Sequence, residues 1–178
     1  GALSSAILLF GIVLLYGAVG RVEVGGVAHT GFEFGTVLAF LHENPGSFLG
    51  TAGALLIIGG VAFKIGAFPF QIWVPDVYQG APTPVTAFMA SVGKAAAFGA
   101  MLRVLLQAVP HWADDYRPAL WLIAVLTLVG GAVMAVVQTN VKRMLAFSSI
   151  SHAGFLLVGV EAAAHGGGPT LAGPGVSS

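Results

Sequence analysis

Residues 48–77 read FLGTAGALLIIGGVAFKIGAFPFQIWVPDV, an apolar run longer than the roughly 20 residues a membrane helix needs. A single lysine, Lys64, sits near its centre, and Gly66, Pro69 and Pro75 fall inside it. Outward from this stretch the same kind of interval recurs. Residues 1–20 are apolar from the first position, and residues 83–107 hold Lys94 in their interior and Arg103 towards one end. Residues 118–141 contain no charge, and the last interval, 144–161, ends at Glu161. The expectation is an all-α integral membrane protein. Its single membrane domain would be a bundle of about five transmembrane helices at about 1–20, 48–77, 83–107, 118–141 and 144–161, the second one broken near Pro69. Residues 21–47 form a polar connector whose FGTVLAFL reads as a short helix on the membrane surface, and residues 162–178 read as a loop tail. The apolar runs are continuous rather than alternating, which excludes a β-barrel.

Composition agrees. Hydrophobic residues make up 57% of the 178 and charged residues only 8%, against about 25% charged in globular chains. That rules out a disordered chain, a coiled coil and a soluble domain with a charged surface. Seven basic and seven acidic residues give zero formal charge, so there is no basic face for nucleic acid. The absence of cysteine removes disulfides and thiolate metal sites, and no HxxxH, HExxH or acid cluster supplies metal ligands. No basic stretch of a signal peptide precedes the first apolar run, and the tail ends as a loop, so the expectation is an internal segment of a longer protein. The charge count across the connectors leaves orientation open: Arg21, Arg103 and Arg117 fall on one side, Lys142 and Arg143 on the other.

The two intramembrane lysines are the first anomaly. An amine at mid-bilayer is expensive by any scale, and ionisable groups there usually mark ion or proton paths. Small residues flank both: Gly59, Gly60 and Gly66 around Lys64; Ser91, Gly93, Ala95, Ala96, Ala97 and Gly99 around Lys94. Such residues let helices approach closely, so both amines are expected to face other helices. The competing view makes each lysine a structural cation paired with an acid. Pro69 lacks an amide donor and would clash with the Ile65 carbonyl. Carbonyls beside Lys64 are therefore expected to lack partners, with the negative end of a half-helix near the amine; the bland alternative is a packing kink. In the fifth helix, Ser148 and Ser149 lie four and three residues before His152 and are expected on its face, where an imidazole could relay protons. Lys142 and Arg143 read as interfacial anchors, Asp76, Asp114 and Asp115 as connector residues, and His29, His42, His111 and His165 as solvated.

Two long stretches, KIGAFPFQIWVPDVYQGAPTPVTAFMASVGK (64–94) and VVQTNVKRMLAFSSISHAGFLLVG (136–159), give the chain a family resemblance. With the opening GALSSAILLFGIVLLYG, it resembles the subunit N family of antiporter-like membrane subunits of proton-pumping NADH:quinone oxidoreductase, respiratory complex I. The resemblance implies that these are the family's sixth to tenth helices and that protons move along buried lysines. Lys64 and Lys94 match the lysines of the broken seventh helix and of the eighth, and Lys142 and His152 match a further lysine and histidine. The family's glutamate on the fifth helix and its lysine on the twelfth fall outside this stretch. The resemblance places the Lys142–Arg143 connector and the loop around Asp76 on the cytoplasmic side of a bacterial plasma membrane. It implies no cofactor in this chain, with NADH, FMN, iron–sulfur clusters and quinone handled by other subunits. The expected partners are the lipid bilayer and other membrane subunits, antiporter-like M and K among them. Two departures stand out: Gln71 where the family often has histidine, and Phe147 where tyrosine is common. Multi-subunit Na+/H+ antiporters and membrane-bound hydrogenases share this ancestry, but PDVYQGAPTPV (75–85) leans towards the subunit N family, since the related L and M subunits vary differently there. A structural subunit with ion-paired lysines is the remaining alternative.

Overall fold

Helix follows helix because long apolar runs in lipid must satisfy every backbone amide internally. The computed structural model describes residues 2–20, 23–24, 27–28, 34–108 and 113–165; His29, His111 and the tail from 166 lie outside them. Helix α1 (Ala2–Val19) leads through a two-residue antiparallel pairing, β1 (Glu23–Val24) with β2 (Val27–Ala28), to α2 (Phe34–Glu43). Then come α3 (Phe48–Ile65), a 3-10 turn at Phe70–Ile72, and α4 (Trp73–Gly80). The next rod joins α5 (Thr83–Phe88), a π turn (Met89–Gly93), α6 (Lys94–Arg103) and a second π turn (Val104–Ala108). Helices α7 (Ala113–Val136) and α8 (Val141–His165) complete the order. Five spans, Ala2–Val19, Phe48–Gly80, Thr83–Leu106, Tyr116–Val136 and Val141–Ala164, are long and apolar enough to cross a membrane. The chain is an all-α, multi-pass membrane protein.

Boundaries follow local chemistry. Ser47 caps α3, its hydroxyl accepting from the Gly50 amide at 3.2 Å. Asn140 caps α8, its side chain accepting from the amides of Lys142 (2.9 Å) and Arg143 (3.3 Å). Helix α7 begins and ends about one turn earlier than the charge-free interval 118–141. Pro118 lies inside α7, beyond its first turn, where its missing amide forgoes one helix hydrogen bond without ending the helix, and Asn140 is already committed to α8. Asp114 and Asp115 therefore belong to the first turn of α7 rather than to a connector. FGTVLAFL is helical as expected and buries Val37, Phe40 and Leu41 against the bundle.

The second span is interrupted where expected, but not in the expected way. Helix α3 stops at Ile65 because Gly66 adopts the left-handed conformation (φ 76°), a position that suits only glycine. The Gly66 amide donates to the Ala62 and Phe63 carbonyls at 3.1 Å each, and the Ala67 amide donates to Ala62. The Trp73 indole N–H adds a bond to the Phe63 carbonyl at 3.1 Å, with its ring stacked on Phe63 at 5.8 Å. The carbonyls of Ala62 and Phe63, expected to lack partners, are thus capped. Pro69 never meets a helical carbonyl because the helix has already ended. The irregular backbone is also tied to α7: the Phe68 amide donates to Thr127 Oγ1 at 2.9 Å. Non-helical backbone at membrane depth is tolerated only where protein satisfies it in this way.

The bundle packs α1 on α3 and α7 on α8, with α6 against α3 and α4 against α8. At the α7–α8 crossing the backbones nearly touch. A Cβ on Gly131 would lie 2.6 Å from the Ser151 nitrogen, and one on Gly154 2.6 Å from the Leu128 nitrogen. Leu15, Val61, Ile65, Leu105 and Leu157 form the buried interior, while Leu9, Phe10, Trp121, Phe155 and other large apolar side chains face outward, as membrane spans require.

Candidate functional site

Lys94 opens α6, directly after the π turn Met89–Gly93. Such turns inside helices concentrate at functional sites. The side chain is only 7% exposed. Its Nζ donates to the Ser149 carbonyl at 2.9 Å and to Ser149 Oγ at 2.6 Å, and lies 6.0 Å from the centre of the Tyr78 ring. All of these partners are neutral. Three elements build the site: α6 supplies the amine, α8 the hydroxyl and carbonyl, α4 the aromatic wall.

A cavity of about 230 Å³ begins at this site. Tyr78, Thr83 and Thr86 line one side, and Lys142, Ala146 and Ser149 line the α8 side. Its walls are chiefly apolar. Ser149 and Lys142 are seven residues apart on one helix, two turns and therefore one face, so the cavity runs from Lys142 towards the Lys94 partner. The Thr86 hydroxyl donates to the Tyr78 carbonyl at 3.2 Å, tying α5 to the end of α4.

The other expected site residues stand apart. Lys64 is exposed on the last turn of α3, turned away from the described helices instead of facing one. Its neighbour Gly60 is spent on packing, its Cβ position 3.0 Å from Leu8. His152 is also exposed; its Nδ1 donates to the Ser148 carbonyl at 2.7 Å, and its ring lies beside Phe155. The two serine hydroxyls do not gather around it: Ser149 turns to Lys94 instead. Lys142 is exposed but lines the cavity.

Two features were not legible in the sequence. Asp76 lies within α4, not in a loop, and Arg143 is more than an anchor. Arg143 Nη1 donates to Asp76 Oδ1 at 2.7 Å and to Gln79 Oε1 at 3.1 Å. The spacing of Asp76 and Gln79 on α4 hinted at a shared face, but nothing local names a partner more than sixty residues away. A second cavity, about 580 Å³, lies between the broken backbone with α4, helix α7 and the start of α8, and the Asp76–Arg143 pair lines it. Gln71 and Phe147, the two departures from the family pattern, both line it. Gln71 Oε1 is buried there without a hydrogen-bond partner. Phe147 also packs in the cluster that holds Tyr78, the aromatic wall of the Lys94 site, so only Gln71 stands clear of that site.

Among the described residues, no three His, Cys, Asp or Glu side chains gather in a way that could hold a metal ion. The family described as NADH:quinone oxidoreductase/Mrp antiporter, TM, matches residues 1–169. NADH-quinone oxidoreductase subunit N 3 of Streptomyces griseus is 52% identical over 167 residues, covering 92% of this chain and 30% of that protein. Subunit N of Mycobacterium tuberculosis is 51% identical over 162 residues, 91% of this chain and 29% of that one. The chain thus spans about 30% of the length of the curated relatives it matches. Among solved structures, respiratory complex I from Thermus thermophilus aligns with TM-score 0.62 and 39% identity over 90% of this chain and 31% of the matched one. An archaeal membrane-bound sulfane sulfur reductase gives 0.72 and 31% over 90% and 31%. The Mrp complex from Dietzia gives 0.71 and 25% over 90% and 27%.

Proposed function

Because the chain belongs to the NADH:quinone oxidoreductase/Mrp antiporter family of membrane proteins, we propose that it is part of a proton-translocating subunit N of an NADH:quinone oxidoreductase. The observation that carries this reading is Lys94, a buried amine whose contacts among the described residues are neutral. A carboxylate partner would hold the ammonium charged. A serine hydroxyl both accepts and donates, so Ser149 Oγ accepts from the ammonium and can donate to the neutral amine. Both protonation states stay hydrogen-bonded in one geometry, which is what a proton carrier needs and a fixed ion pair does not. The cavity from Lys142 supplies an approach to Ser149. Lys64 serves the same path from the broken helix, at the negative end of α3, and it meets its partner outside the described residues. His152, with Nε2 left as acceptor when neutral, is a further exchange point.

In this reading NADH, FMN, iron–sulfur clusters and quinone belong to other subunits, and quinone reduction there drives the proton movement here. The partners are neighbouring antiporter-like membrane subunits, M and K among them. Backbone similarity is greater to the sulfane sulfur reductase and Mrp chains, while sequence identity is greater to subunit N. The helix scaffold is common to the family, so side-chain identity is the better discriminator and favours subunit N over an antiporter subunit.

The test is Lys94→Arg beside Lys94→Ala in the full-length subunit within its complex. Arginine keeps the charge but does not deprotonate in proteins. Both variants should assemble on native gels and both should lose NADH-driven proton pumping in vesicles. Full pumping by Lys94→Arg would overturn the reading.

A further inference from the structure

The Arg143 guanidinium meets two residues of α4 at once, Asp76 Oδ1 at 2.7 Å and Gln79 Oε1 at 3.1 Å. Asp76 and Gln79 are three apart and so share a face. Helix α4 is only eight residues long, set off by the break at Gly66 on one side and the short Ala81–Pro82 link on the other. Its start is tied to α3 by the Trp73 indole bond to Phe63 and its end to α5 by the Thr86–Tyr78 bond, so it moves as one short piece between those ties. What holds it to α8 is an apolar seam, Val74 and Tyr78 against Ala146, Phe147 and Ile150. Apolar contact is non-directional, so the seam supplies adhesion without fixing register. The bridged guanidinium is directional. Its carboxylate is well exposed (65%) and Arg143 partly so (35%), so the pair adds little to stability. Its placement is also unfavourable for α8 alone: Lys142 and Arg143 put two cations in the first turn, at the positive end of the helix dipole. Asp76 offsets that charge only while α4 sits in register.

The cavity leading to the Lys94 site has Tyr78 of α4 with Thr83, Thr86 and Ala90 of the next rod on one wall and Lys142 and Ser149 of α8 on the other. The Thr86–Tyr78 bond makes that rod follow α4. The position of α4 on α8 therefore sets its bore. Because the walls are chiefly apolar, the bore decides wetting: narrow apolar passages exclude water and close by dewetting. We infer that the Asp76–Arg143–Gln79 contact is a strut that holds α4 in register on α8 and so sets the width, and the wetting, of the passage between Lys142 and the Lys94 site. Asp76, Gln79 and Arg143 are positioning residues; they do not carry the proton. The inference rests on the proton-carrying reading of Lys94.

The experiment uses the full-length subunit in its assembled complex in inverted membrane vesicles. Ala90, which lines the cavity and is part-buried, is changed to cysteine as a reporter, this stretch having no cysteine of its own. Labelling of that thiol by a water-soluble maleimide reads wetting, and protons pumped per NADH oxidised read function. Arg143→Gln and Asp76→Asn should each speed labelling severalfold and lower the pumping ratio by about half or more. Exchanging the charges, Asp76→Arg with Arg143→Asp, should restore both. If the exchange does not assemble, Arg143→Lys replaces it and should recover most of the loss seen in Arg143→Gln. Unchanged labelling in both single variants overturns the strut. Altered labelling with an unchanged pumping ratio, where Lys94→Arg has abolished pumping, overturns the inference alone. Normal pumping by Lys94→Arg instead overturns the reading beneath it.

Discussion

Lys64 and Lys94 look alike in sequence, each a cation amid glycine, alanine and other small residues in the interior of a membrane-length interval. The structure gives them opposite settings. Lys64 lies in the last turn of α3, at the negative end of that helix, and is exposed among the described residues. Lys94 has no such terminus; a π turn precedes it, and its contacts come from a serine fifty-five positions along the chain and an aromatic ring. A break in the backbone can thus stabilise a charge locally, whereas a site that must hold both protonation states needs neutral partners delivered by other helices. The first setting is local physics. The second is assembled.

The contrast breaks outright if arginine is tolerated equally at both positions. In the full complex, Lys94→Arg is expected to cut proton pumping about tenfold or more, while Lys64→Arg keeps about half, because only the Lys94 setting lacks a terminus to favour a permanent charge. Vesicle pumping with assembly checked on native gels measures both. Ser149→Ala comes next. It removes the hydroxyl proposed to serve both protonation states but leaves the carbonyl holding the amine, and it should slow pumping about threefold to tenfold, as expected for the loss of one ordinary hydrogen bond of about 1 kcal/mol. An effect no larger than that of Ser148→Ala would make the hydroxyl incidental.

The break itself is tested at Gly66. A Cβ there would sit 2.7 Å from Val74 Cγ2, in a left-handed backbone. Gly66→Ala should therefore lower the stability of the purified complex by about 1–3 kcal/mol, read as a drop in melting temperature. An unchanged melt would mean that α4 is not held against the cap. The smallest effect belongs to Gly130, where an added Cβ meets nothing within 4 Å. Gly130→Ala should leave pumping unchanged and raise helix stability by about 0.5–1 kcal/mol. A loss of pumping there would show that the larger cavity, with Gln71 and Phe147, contributes to the path after all.

Sequence by itself determined the class, the five spans and the position of the break. These follow from run length, from charge-free intervals and from glycine and proline, all properties of a segment and its solvent. It also singled out Lys94, since an amine inside an apolar run is anomalous whatever surrounds it. It could not say which way a side chain turns. Every face of a membrane helix is apolar, so the periodicity that orients a soluble helix is absent. Outward-facing Lys64, the pairing of Ser149 with Lys94 instead of His152, and the Asp76–Arg143 bridge were therefore decided only when the helices packed. Even the helix end at Ile65 was settled by tertiary contacts as well as by glycine, because the Trp73 indole and the Thr127 hydroxyl that satisfy the broken backbone arrive from beyond it. Local sequence sets what each segment must satisfy; packing decides which distant group satisfies it.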